Sequence, residues 1–254
     1  MLELEKAYIF QPDKKLYLVP EDIGIKPEGL LLQTKDNVRL HGWWLRGKGE
    51  RALVWYHGNA GNISYSLNHA KSIIEVLGVD VLLVDYRGYG LSEGNPSEEG
   101  FYIDGFAMYD EAVRSGYKPE DVIFYGHSVG TAVAIEVAKN VECGALILES
   151  PLLSIPAMAE ELFSLFPFLS EMIETKFDNE SKVSKVFAPK LFIYAEHDDM
   201  IPFHHVKTLF NAAAPPKELI TVKGASHNNI PTVGGKEYLE GLKAFLEKYS
   251  SSRK

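Results

Sequence analysis

The chain has 254 residues, 46% of them hydrophobic and 24% charged, which suits one large globular domain with an ample core. Its lone cysteine, Cys143, excludes an intramolecular disulfide framework, and a net charge of −9 argues against nucleic acid and anionic lipid as partners. No apolar run reaches the ~18 residues of a membrane span, and Met1–Lys6 lacks the pattern of a secretory leader, so the expectation is a soluble, cytoplasmic chain.

In chain order, Leu30–Thr34 and Val38–Leu45 read as strands joined by the turn Lys35-Asp36-Asn37, so the pattern opens with a hairpin. Apolar runs follow at Ala52–Tyr56, Val81–Asp85, Val122–Tyr125 and Ala145–Glu149, then at Leu191–Ala195 and Glu218–Val222. Continuous apolar runs mean burial on both faces, as in a parallel sheet. Helical spacing falls between them, around Ser66–Leu77, Asp104–Arg114, Val129–Lys139, Phe203–Ala213 and Gly235–Tyr249. This alternation predicts an α/β fold with a mostly parallel sheet and helices on both faces. Residues of about 150 to 190 break the rhythm and predict a small helical insertion in what is otherwise one domain spanning residues 1–254.

The strongest chemical signal is Gly126-His127-Ser128-Val129-Gly130, which lies directly after an apolar strand and directly before a helix. A G-x-S-x-G turn in that setting lifts the serine hydroxyl clear of the sheet, and glycine at the flanks lets the neighbouring backbone pass closely. The early strand Ala52–Tyr56 runs into His57-Gly58-Asn59. The backbone N–H groups of Asn59 and Val129 are then the expected oxyanion donors, named for their position. His57 itself reads as structural.

A serine hydroxyl needs a histidine to take its proton and a carboxylate to fix the imidazole tautomer. Candidates in the order Ser, acid, His follow the last two strands: Glu196-His197-Asp198-Asp199-Met200-Ile201-Pro202, and Gly224-Ala225-Ser226-His227-Asn228. The acid is open at this point among Asp198, Asp199 and Glu149, which ends an earlier strand.

The spans HGNAGN, DYRGYGLSEG, GHSVG, AEHDDMIP and GASHN resemble, in order, the motifs of the alpha/beta-hydrolase superfamily. They are most similar to its small-cap serine hydrolases: monoglyceride lipases, carboxylesterases and membrane-anchored protein depalmitoylases. The resemblance runs from about Gly29 to the end. It implies an alpha/beta-hydrolase fold with a small cap over residues of about 150 to 190. In that family the acid loop reads Gly-x-x-Asp-x-x-Val-Pro. Here Ala195 replaces the Gly and Ile201 the Val, and counting back from Pro202 implies Asp198, with Asp199 as the neighbouring register. Asp85, Arg87 and Gly88 are implied to be scaffold.

The expected catalytic set is therefore Ser128, Asp198 and His227, acting on a small-molecule ester, thioester or other acyl substrate through an acyl-enzyme. No cofactor and no metal are expected; His197, Asp198, Asp199, His204 and His205 lack zinc-type spacing. The insertion residues Leu162, Phe163 and Phe166, with Leu165, Phe168 and Leu169 nearby, are expected to line an acyl pocket or pack on the sheet. The competing readings are an aminopeptidase and a non-catalytic small-molecule receptor on the same scaffold. An imidazole base predicts activity that rises with pH through one ionisation somewhere between roughly pH 5.5 and 7.5, since the neighbouring carboxylate raises and burial lowers the ~6.5 of free imidazole.

Overall fold

The computed structural model describes residues 7–163 and 168–250. Its centre is a sheet of eight strands, introduced here in chain order with two short ones outside it. They are β1 (Gln11–Pro12), β2 (Glu28–Gln33), β3 (Arg39–Leu45), β4 (Ala52–Tyr56), β5 (Ala60–Gly61), β6 (Asp80–Val84), β7 (Val122–His127), β8 (Ala145–Glu149), β9 (Lys190–Ala195) and β10 (Lys217–Val222). The sheet order is β10-β9-β8-β7-β4-β6-β3-β2, parallel from β6 through β10, with β3 antiparallel to both β6 and β2. The opening hairpin, the parallel sheet and the helices on both faces agree with the sequence pattern.

Side-chain alternation divides the core in two. Val54, Leu82, Phe124, Leu146 and Phe192 face the helices Glu98–Arg114, Gly130–Asn140 and Phe203–Ala212. Their strand neighbours Leu53, Leu83, Ile123, Ile147 and Leu191 face the helices Leu67–Leu77 and Ile230–Ser250. A two-residue period with helices on both sides makes every position of these strands apolar, which is why the runs read as continuous. β10 is the exception: as an edge strand it is only partly buried, and the mixed composition of Lys217–Val222 follows from that.

Two features differ from the sequence reading. The helix expected from Asp104 begins at Glu98, capped by the Ser97 hydroxyl, which accepts from the Gly100 N–H. Glycines at 100 and 105 hide its period because helix faces meet neighbours there; an added Cβ on Gly105 would lie 2.4 Å from Val133 Cγ1. The N-terminal segment, which carries no strand signal, supplies β1, and β1 pairs in parallel with β5 inside the His57–Asn62 loop. Two residues are too few for periodicity to reveal.

The insertion contains the short helices Ile155–Leu162, Phe168–Met172 and Glu180–Val183. It is pinned at Phe177, which is fully buried among Phe10, Phe101 and Tyr102. No helix among the described residues is long and apolar enough to cross a membrane.

The tightest approach to neighbouring backbone is at Gly130, where a Cβ would lie 2.0 Å from the Tyr56 carbonyl oxygen and 2.5 Å from that of His57. Both obstacles are backbone and cannot rotate away. Gly130→Ala is expected to cost about 3 kcal/mol or more, read as a lower urea midpoint at unchanged slope. A variant within about 0.5 kcal/mol of the parent chain would show the approach to be looser than described.

Candidate active site

The strand order assembles the site. Chain progression from β4 to β6 and back across to β7 makes a topological switch between β4 and β7, and ligands of open α/β sheets bind at such points beyond the C-terminal strand ends. The loops that follow β4, β7, β8, β9 and β10 therefore lie side by side, bringing in Asn59, Ser128, Ser150, Asp198 and His227 respectively.

Ser128 occupies the left-handed region at φ 52°, which a non-glycine residue adopts only at a cost of about 1 kcal/mol or more. The surroundings hold it there. Its N–H donates to Glu149 O at 2.9 Å, and its carbonyl accepts from the Thr131 N–H at 3.0 Å and the Thr131 hydroxyl at 2.6 Å. Val129 caps the helix Gly130–Asn140, so the N-terminal end of that helix, with its partial positive charge, opens beside the serine.

The loop after β4 is fixed peptide by peptide. Gly58 O accepts from His57 Nδ1 at 2.9 Å, and a carbonyl can only accept, so Nδ1 carries the proton. His57 Nε2 is then the acceptor for the Tyr86 N–H at 3.4 Å. Because the peptide is trans, holding Gly58 O turns the Asn59 N–H to the opposite side. Asn59 O in turn accepts from the Gln11 N–H at 2.9 Å and the Tyr89 hydroxyl at 2.7 Å. A Cβ on Gly58 would sit 3.6 Å from Ser128 Cβ, so this loop borders the serine. His57 is buried, its pKa is pushed down by that burial, and both its nitrogens serve the backbone.

Asp198 and His227 meet directly, with His227 Nδ1 3.0 Å from both carboxylate oxygens. Their side chains are 0% and 2% exposed. Oδ1 also accepts from the Met200 and Ile201 N–H groups at 3.0 and 2.8 Å, and Oδ2 from the Ser150 hydroxyl at 2.7 Å. Burial works to raise the Asp198 pKa, but the hydrogen bonds from His227, Ile201 and Ser150 and the nearby imidazole outweigh it, so the carboxyl sits below its usual range. Asp199 accepts from the His227 backbone N–H at 3.4 Å, so adjacent aspartates hold the ring and the backbone of one histidine. Glu149 faces elsewhere: its carboxylate accepts from the Tyr238 hydroxyl at 2.8 Å and lies 3.9 Å from His127 Nε2.

The other expected residues are more dispersed. Leu162 and Phe163 are 69% and 40% exposed on the insertion, and Phe163 packs edge to face with Tyr8. Phe166 and Leu165 lie outside the described residues. Arg87 is scaffold, its guanidinium bonded to Asp104 and Asp36. Glu161, His204 and His205 bring possible metal-binding atoms within 4.8 Å of one another. However, His205 Nδ1 accepts from the Leu153 N–H at 3.1 Å, which puts the imidazole proton on Nε2 and leaves neither nitrogen free as a ligand in that tautomer. Sequence reasoning missed Ser150. Its position immediately after a strand at the same sheet end was the available signal.

Residues 47–177 match the family model of the S33 serine aminopeptidases. The chain is 33% identical over 235 residues to an uncharacterised protein of Mycobacterium tuberculosis, covering 90% of this chain and 83% of that one. It is 30% identical over 272 residues to alpha/beta hydrolase domain-containing protein WAV2 of Arabidopsis thaliana, covering 99% and 86% respectively. Among solved structures it superposes on a Pyrococcus furiosus esterase with a TM-score of 0.79 over 95% of this chain and 98% of that one, at 21% identity, a likeness of fold.

Behind the site, His69 packs against Trp55, Tyr125 and Tyr238, and burial pushes its pKa down to about 3. Burial also lowers His57, His127 and His205, the last to about 4. Unfolded, each titrates near ~6.5. Below that value the unfolded chain takes up protons that the folded chain refuses, so this contribution to stability is complete above ~6.5 and drains away as the pH falls toward the folded values. The urea midpoint is expected to drop between about pH 7 and about pH 4, and less steeply in His69→Phe, which keeps the ring contacts without the titration. Parallel profiles for the two proteins would remove His69 from this account.

Proposed function

The chain belongs to the alpha/beta hydrolase superfamily, and from that premise we propose that it is a serine esterase working through an acyl-enzyme on Ser128. The observation that carries the reading is the buried pairing of His227 Nδ1 with both oxygens of Asp198, two loops away from a serine held at φ 52°. With Nδ1 engaged, Nε2 is the nitrogen left to exchange protons. His227 takes the Ser128 proton as the hydroxyl attacks the ester carbonyl, then returns it to the leaving alcohol. Asp198 holds the tautomer and stabilises the imidazolium between those steps. The Asn59 and Val129 amides receive the developing oxyanion, each contributing about 3 kcal/mol. Water, activated by the same histidine, releases the acid. Leu162 and Phe163 offer the acyl chain an apolar surface on the insertion.

The name of the matching family favours a second reading, hydrolysis of N-terminal peptide bonds by the same triad. A panel of p-nitrophenyl esters of rising acyl length beside aminoacyl anilides separates the two. Higher kcat/KM on the esters is expected, and a preference for the anilides would replace the esterase reading. Ser128→Ala is expected to lose nearly all turnover and its labelling by a fluorophosphonate; residual turnover above about a tenth would remove Ser128 as nucleophile. Asp198→Asn is expected to cost about a thousandfold or more, against much smaller losses for Asp199→Asn and Glu149→Gln. The largest loss falling on either of the latter would move the acid.

A further inference from the structure

β8 ends at Glu149, whose side chain is committed to Tyr238, and the next residue leaves the strand abruptly. Ser150 has φ 47°, the same left-handed region as Ser128. It is fully buried, and its N–H donates to Ile193 O on β9 at 2.9 Å. That bond ties its backbone to the strand from which Asp198 emerges. Its hydroxyl then reaches Asp198 Oδ2 at 2.7 Å, and because a carboxylate only accepts, the serine must donate.

The two carboxylate oxygens are held differently. Oδ1 accepts from the two amides of its own loop, Met200 and Ile201. Oδ2 has Ser150, from a different strand, as its one donor besides His227 among the hydrogen bonds of the described residues. Held by Oδ1 alone, a carboxylate pivots about that oxygen; a second donor on Oδ2 sets the plane that meets the imidazole. A glycine would adopt φ 47° without strain, so the serine side chain is present at a backbone position that disfavours it.

We propose that Ser150 is a positioning residue for the triad: its hydroxyl fixes the plane and charge of Asp198, and through Asp198 the orientation of His227. The assignment rests on the esterase reading of Ser128, Asp198 and His227. It predicts an effect on turnover with none on ground-state binding, since Ser150 reaches the reacting atoms only through two other side chains.

Two substitutions separate the hydroxyl from the backbone. Ser150→Gly removes the hydroxyl and relieves the strain; Ser150→Ala removes the hydroxyl and retains it. Both are expected to lower kcat about tenfold, the scale of a hydrogen bond to a charged group, with KM on a short p-nitrophenyl ester unchanged. Their urea midpoints are expected to diverge, with the glycine variant the more stable of the two. A native kcat in Ser150→Gly, a loss expressed in KM, or losses that follow the midpoints would each overturn the assignment. Ser128→Ala, measured alongside, identifies which step failed. If it is inactive while Ser150→Gly turns over normally, only the role of Ser150 falls. If it stays active, the triad reading fails and the role of Ser150 falls with it.

Discussion

Everything at the C-terminal edge of the sheet depends on how closely the helix Gly130–Asn140 approaches the end of β4. At Gly130 the gap to the Tyr56 and His57 carbonyls leaves no room for a Cβ, and at Gly126 a Cβ would meet Gly130 O and Thr131 Cα at 2.7 Å. With the helix this close, the chain has one residue, Ser128, in which to reverse direction between strand and helix. The left-handed backbone at Ser128 is the consequence, and it is stabilised by bonds to Glu149 and Thr131 on either side. The same approach sets the helix N-terminus against the His57–Asn59 loop, so the two segments that carry the proposed oxyanion amides meet through one packing contact.

Around that contact the protein keeps its charges sharply sorted. Buried His57 and half-buried His127 and His69 are held below their ordinary pKa by desolvation and use their nitrogens as neutral donors or acceptors. His227 is paired with a carboxylate that accepts from four donors and stays ionised despite being enclosed. A buried carboxylate without such partners would instead take up a proton, and the imidazole would lose its electrostatic support. Glu149 illustrates the alternative arrangement: it too ends a strand at this edge, but a tyrosine network engages it and it serves the scaffold.

The elements that brace the site come from far along the chain. The segment before the hairpin adds β1 to the His57–Asn62 loop and donates to Asn59 O. The insertion is anchored at Phe177 against Phe10 and Phe101, which joins it to that same segment. Leu162 and Phe163 stand exposed beyond this anchor, so the apolar character of the insertion is divided between a packed root and an open outer face. The root determines where that face sits relative to the strand ends.

The sequence alone determined the sheet, because strands covered on both faces must be apolar at every position, and Leu53, Val54, Ile123 and Phe124 are. It also determined the elbow, since glycine two residues before and two residues after Ser128, between strand and helix, meets the steric demand there. Candidate acids were legible as a short set, Asp198, Asp199 and Glu149, because residues of the same type followed strands at the same end. Which of them faces the imidazole was decided by the tertiary structure: a carboxylate's direction depends on backbone turns such as the one that sends Asp198 to the His227 ring and Asp199 to its N–H. The same holds for Ser150 and for β1. A positive φ at a serine and a two-residue parallel pairing have no periodicity and no compositional mark, and they exist only because distant strands meet.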